Sequence, residues 1–188
     1  MFPGIRHSIG EHFLKKEIEG KSRAVIAKNF SDIQKIGIIF SIENESDFKM
    51  VKGFIQFFRE EGIKKVKAIG YYDGKVNPHY LLPSLDFDFI NKQDLNWYYK
   101  PSGVAVDNFK ADDFDVVVDM TSGECFPMKF LLASTSAKLK VGRFSEKEQN
   151  RYDLMIDADK SKGMDYFMEQ VNHYLHIINK PTTNVEQI

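Results

Sequence analysis

A single cysteine, Cys125, stands in the 188 residues, so the chain forms no internal disulfide and no multi-thiolate zinc site. Long apolar runs are also missing, and none approaches the roughly 20 residues that span a bilayer. The first residues, Met-Phe-Pro-Gly-Ile-Arg-His, hold no apolar signal segment, and Phe2 stands where myristoylation needs glycine. The chain ends Val-Glu-Gln-Ile, without a prenylation cysteine. Charge of one sign is scarce as well: 26 basic against 27 acidic side chains leave −1, too little to attract nucleic acid by bulk charge. No GxGxxG and no GxxxxGK[ST] occurs, which excludes conventional NAD, FAD and P-loop nucleotide binding, and no cofactor is expected. These absences point to a soluble cytoplasmic protein.

What is present is an average globular composition, 43% hydrophobic and 28% charged, at a length suited to one domain. The charge is uneven. Residues 1–35 carry seven basic side chains against four acidic ones, a net of +3, so the remaining 153 residues sum to −4. A basic arm on an acidic body suits contact with phosphates or an acidic partner. The expected organisation is a basic helical segment over 1–30, an α/β body over 31–180 and a polar tail over 181–188.

Residues 8–20 read as a weakly amphipathic helix, with Ile9, Phe13 and Ile18 on its apolar side. Ile36–Ile42 is a continuous apolar run, the pattern of a strand covered on both faces. Asn44, Ser46 and Asp47 offer N-caps to a helix carrying Phe48, Val51, Ile55 and Phe58, and Lys65–Tyr71 is a second strand. This is a βαβ unit, hence a parallel pair. Residues 73–103 break the rhythm, with Phe87–Ile90 the one strand candidate there. Strands are expected at Phe114–Met120, Lys138–Gly142 and Tyr152–Asp157, with helices over 127–136 and 163–179. The fold class is therefore α/β: one Rossmann-like domain, a mostly parallel sheet with flanking helices, and an N-terminal helical arm.

Ligands in such sheets bind beyond the carboxyl ends of the strands. After the first strand stands Glu43-Asn44-Glu45-Ser46-Asp47, whose carboxylates repel phosphate. After the strongest strand stands Thr121-Ser122-Gly123-Glu124-Cys125-Phe126-Pro127, just before a helix N-terminus that favours an anion. Asp119, Thr121, Ser122, Gly123 and Cys125 are the ligand-binding candidates. The helix terminus would also lower the Cys125 pKa, although no histidine lies near in sequence to activate it. Thr121–Glu124 equally matches a capping box. Glu169, His173 and His176 share a helix face, read as solvated rather than metal-binding. No catalytic residue and no metal are expected.

The interaction candidates come from two segments. One is basic, with Lys15, Lys16, Lys21, Arg23 and Lys28. The other, residues 71–99, holds eight aromatic side chains and ends in Trp97, Tyr98 and Tyr99. Buried, these aromatics would cover a sheet edge; exposed, they would form a protein hot spot.

Ile36-Gly37-Ile38-Ile39-Phe40, Asp94-Leu95-Asn96-Trp97, Lys100-Pro101, Phe114–Asp119, Ser136–Arg143 and Tyr152–Asp157 together resemble a domain-of-unknown-function family of Bacteroidota cytosolic proteins. That resemblance implies a cytosolic α/β protein and carries no activity. Residues 114–143 are similar to the N-terminal Rossmann-like domain of heptosyltransferase-type GT-B glycosyltransferases, which implies the same fold. Those enzymes bind nucleotide-sugar with a second such domain, for which this chain is too short. The leading expectation is a non-catalytic binding or accessory protein in a larger cytosolic assembly. It has a protein partner, and nucleic acid within a ribonucleoprotein is a contact for segment 6–28. The alternative is a small-ligand sensor or degenerate glycosyltransferase-like enzyme using loop 119–127.

Overall fold

Residues that are apolar at successive positions need cover on both faces, and the two runs of this kind lie side by side at the centre of the sheet. The computed structural model describes residues 3–20 and 22–179, without the side chains of Pro3 and Lys160. Strands β1 (Lys35–Ile42), β2 (Lys65–Tyr72), β3 (Phe87–Asn91), β4 (Val116–Met120), β5 (Leu139–Arg143) and β6 (Leu154–Ile156) form one six-stranded sheet in the order β3-β2-β1-β4-β5-β6. Every pairing is parallel. The α-helices among the described residues are α1 (Pro3–Glu19), α2 (Glu45–Glu60), α3 (Val104–Ala111), α4 (Phe126–Ser134) and α5 (Gly163–Ile177).

The alternation of β1 sorts its side chains between two cores. Ile36, Ile38, Phe40 and Ile42 join Val51, Ile55 and Phe58 of α2 and Phe167, Val171 and Leu175 of α5. On the opposite face, Ile39 joins Val106 and Phe109 of α3 and Met128, Leu131 and Leu132 of α4. Gly37 faces this second core, where a Cβ would come within 3.0 Å of Phe109 and Val117. It is a packing glycine. Asn44 caps α2, with Asp47 completing the capping box.

Three expectations need correction. Helix α3 interrupts the stretch between the aromatic segment and β4, where no helix reads from the sequence. It has eight residues, its N-cap is Gly103 without a side-chain cap, and it buries Val106 and Phe109. So short a segment shows no period. The N-cap of α4 is Cys125, again without a side-chain hydrogen bond, so Thr121–Glu124 is not a capping box. Helix α1 starts at Pro3 rather than residue 8, ends at Glu19 and docks on α4. The tail over 181–188, together with Lys180 and Lys21, lies outside the described residues.

Leu14 and Ile18 of α1 pack with Phe126, Phe130 and Ala133 of α4 and with Tyr98 and Tyr99. The helices approach closely at Gly10, where a Cβ would lie 2.6 Å from the Phe126 ring and 2.8 Å from the Tyr98 carbonyl oxygen. Residues 22–29 then strap down the base of the sheet. Arg23 donates to both Asp153 carboxylate oxygens at 2.6 and 2.7 Å, and to the Ala137 carbonyl at 3.0 Å. Lys28 meets Asp115 at 2.7 Å. Two of the basic side chains responsible for the uneven charge thus bind carboxylates of the body.

Candidate functional site

Strand order reverses between β1 and β4, so the crevice where α/β proteins take ligands opens beyond Ile42 and Met120. Here that crevice is laced by its own side chains. The Ser122 amide donates to Ser41 Oγ at 2.8 Å, and Ser122 Oγ donates to Glu43 Oε1 at 2.9 Å. The Thr121 amide donates to Asp119 Oδ1 at 2.8 Å. Two backbone donors that would cradle a phosphate are therefore engaged. A cleft of about 440 Å³ remains, lined by His7, Tyr71, Tyr99 and Phe126 together with Glu43, Asp73 and Glu124. Its carboxylates disfavour an anion.

The five ligand-binding candidates divide between two clefts. Ser122 and Cys125 line the crevice just described, whereas Asp119, Thr121 and Gly123 line a neighbouring cleft of about 250 Å³. Gly123 adopts φ +65°, which turns the loop between them. Asp119 is 5% exposed and accepts a hydrogen bond from Tyr152 Oη at 2.7 Å. Burial raises the Asp119 carboxyl above its ordinary range, opposed by the hydrogen bonds from Thr121 and Tyr152. Burial and the Asp119 charge push the Tyr152 phenol up. Tyr152 was not among the expected site residues, because it is brought to Asp119 only by the pairing of β4 with β5 and the loop that follows.

Cys125 is buried, and that burial pushes its thiol up to about 12 despite its place at a helix start. Desolvation outweighs the helix terminus, so the expected lowering of its pKa does not occur. At pH 8 the folded protein should react with a disulfide reagent roughly a thousandfold more slowly than the unfolded chain. Labelling at the same rate in both states would contradict this burial.

The interaction candidates come together only in part: Lys16 of α1 lies beside Tyr98, whereas Arg23 and Lys28 bind Asp153 and Asp115, and Lys21 lies outside the described residues. Residues 94–101 form a small hairpin, with an antiparallel bridge from Leu95 to Pro101. Asn96 Oδ1 accepts from the amides of Tyr98 and Lys100 at 3.0 and 2.9 Å. Tyr99 adopts φ +71°, and Arg6 of α1 lies 3.8 Å over its ring. Tyr98 stacks on Phe13 of α1 at 4.6 Å, and Trp97 meets Tyr98 edge-on at 5.6 Å. Trp97 is 50% exposed and Phe13 39%. Lys16 borders a hollow of about 260 Å³ beside Phe13 and Tyr98, with Lys100 held by Glu17. Lys15 pairs with Glu19 on the same helix. Phe13, read from its spacing as an inward residue, is thus part of an open aromatic face.

The remaining aromatics of 71–99 fall elsewhere. Tyr71 is buried, and Phe87 and Phe89 of the edge strand β3 pack against Phe48. Glu169 and His173 are exposed as expected, but His176 stacks on Phe30 at 3.9 Å. Among the described residues no group of three or more His, Cys, Asp or Glu side chains is placed to hold a metal. No described helix is long and apolar enough to cross a membrane.

The sheet order and the flanking helices define a Rossmann-like α/β protein. Residues 6–178 match a family of unknown function (DUF6913), and the chain belongs to that family. No curated protein and no solved structure matches it.

Proposed function

We propose that this protein acts by binding another protein, as an accessory component of a larger cytosolic assembly, through the face that α1 and the 94–101 hairpin build together. The observation that carries this reading is the continuous ring system Phe13–Tyr98–Trp97, half-open to solvent with Lys15 and Lys16 on its helix. Aromatic side chains anchored at one end and exposed at the other are the usual anchors of protein interfaces. The occupant that fits is a protein segment with an apolar anchor beside a carboxylate. Ribonucleoproteins remain among the assemblies this would serve, with protein rather than nucleic acid as the direct contact, because Arg23 and Lys28 already bind Asp153 and Asp115.

A second reading rests on the Asp119–Tyr152 pair. Two titratable groups with shifted pKa values beside a cleft are a recognised mark of small-ligand sites. In that reading loop 119–127 senses a small molecule or retains part of a glycosyltransferase-like site.

The test is capture of the tagged protein from its own cells, comparing wild type with Phe13→Ala/Trp97→Ala. Truncating two anchor residues should weaken a protein partner at least tenfold while the fold persists, and nuclease should leave the wild-type complex intact. Equal capture by both proteins would sink the reading, and release by nuclease would assign the face to nucleic acid. Loss of the complex on changing Tyr152→Phe alone would favour the second reading.

A further inference from the structure

The cleft of about 440 Å³ beyond β1 and β4 is walled by aromatic rings and edged by carboxylates. Tyr71 comes from the end of β2, Phe126 from the start of α4 and Tyr99 from the 94–101 hairpin. The Tyr99 and Phe126 rings stand almost perpendicular, at 87° with centroids 6.0 Å apart, and His7 of α1 lies against Phe126 at 4.4 Å. Tyr71 and Phe126 are buried, so two of these rings are fixed by their packing. Tyr99 is held at φ +71°, a left-handed backbone that a tyrosine rarely adopts.

The charges at the cleft are of one sign. Among the described residues Glu43, Asp73 and Glu124 line it, and no lysine or arginine does. Two of these carboxylates meet cations from outside it. Lys92 reaches Asp73 at 3.0 Å, and Lys129 stands 3.6 Å from Glu124 while holding Glu148 more closely at 2.7 Å. Glu43 has no cationic partner among the described residues, and its carboxylate accepts from Ser122 Oγ at 2.9 Å. Arg6 also lies over the Tyr99 ring at 3.8 Å, without lining the cleft.

We infer that this cleft binds a small organic cation, one that carries an alkylated ammonium group. The negative faces of aromatic rings attract such a group, which asks for few hydrogen bonds. Carboxylates set on low-dielectric walls focus a field that draws a cation in. An anion finds nothing comparable, because the amides of Thr121 and Ser122 are engaged by Asp119 and Ser41. The volume lies within the range of small-ligand sites. The site draws on neither Phe13 and Trp97 nor the Asp119–Tyr152 pair, so it stands apart from both readings above.

The probe is choline chloride, set against sodium chloride at equal ionic strength and against the uncharged alcohol in which carbon replaces the choline nitrogen. Choline should shift the amide resonances of Tyr71, Asp73, Tyr99 and Phe126 along one saturable curve, with half-saturation on the order of 1 mM. Sodium and the neutral alcohol should leave those resonances in place. Glu43→Gln removes a charge at an exposed position and can still accept from Ser122, whereas Tyr99→Leu keeps an apolar wall and removes a ring. Each should raise the half-saturation concentration about fivefold. The absence of saturable shifts would overturn the site. Equal binding of the neutral alcohol would overturn the cation assignment, and an equal response to sodium would overturn the organic one. Unchanged affinity in Glu43→Gln would overturn the proposal even if Tyr99→Leu fails to fold.

Discussion

Replacing Asp115 by alanine should destabilise the protein by about 3 kcal/mol, the lower end of what breaking a buried ion pair costs. At roughly 2–4 °C per kcal/mol for a chain of this size, the melting temperature should fall by about 6–12 °C. The carboxylate is 4% exposed and accepts from the amides of Gln34 and Lys35 at 2.8 and 3.2 Å, from Lys28 at 2.7 Å and from Lys138 at 3.1 Å. It joins the strap, the start of β1 and the approach to β5 at one point. Burial by itself would raise this carboxyl, but the hydrogen bonds from Lys28, Gln34, Lys138 and Lys35 prevail and hold it at about 2. A depressed pKa contributes stability that is present above the unfolded value near 4 and lost as pH falls through about 2. That contribution is of order 2 kcal/mol. Unfolding of the wild type should therefore become easier between pH 4 and pH 2, and Asp115→Asn should flatten the profile in that window. An unchanged acid profile in the variant would show that Asp115 is not the joint.

Gly10→Ala should change stability with a sign opposite to that expected of an isolated helix. In an open helix, alanine for glycine adds about 1 kcal/mol. Against α4 the new Cβ would meet the Phe126 ring at 2.6 Å and the Tyr98 carbonyl at 2.8 Å, and the backbone oxygen cannot turn aside. Overpacking of this kind costs about 1–3 kcal/mol, and Gly10→Val should cost more than alanine. Amide exchange in α1 should quicken while β1 and β4 stay protected. Since α1 supplies Phe13 to the aromatic face, partner capture should fall with it. A stabilised Gly10→Ala protein would mean that the helix does not rest on α4 in solution.

Much of this architecture is legible in the residues. Ile36–Ile42 reads as a strand covered on both faces because it is a continuous apolar run, Phe114–Met120 reads as a strand from its alternation, and the helix between Ile36–Ile42 and Lys65–Tyr71 makes that pair parallel. Helix α3 is not legible, since eight residues led by Val104-Ala105-Val106 carry no helical period and no cap. The candidate site was legible only in pieces. Lys15 and Lys16 on one hand, and Trp97 and Tyr98 on the other, stand out by charge and by aromatic content. Their meeting depends on Gly10 and on the packing of Leu14 against Phe130, contacts between segments too far apart for local pattern to reveal. Likewise the position of Cys125 before a helix suggests a reactive thiol, and only the depth of its burial reverses that. The net charge of the first 35 residues suggested an external partner, yet Arg23 and Lys28 find theirs in Asp153 and Asp115.

The proposed protein partner would sit on the face made by α1 and the hairpin. Cross-linking mass spectrometry on the complex captured from cells tests it most directly, using an amine-reactive linker after nuclease treatment. Links are expected from Lys15, Lys16 and Lys100 to one stoichiometric partner protein, with Lys52, Lys64 and Lys110 unlinked to it. Links centred on those distant lysines, or the absence of any partner once nucleic acid is removed, would contradict it.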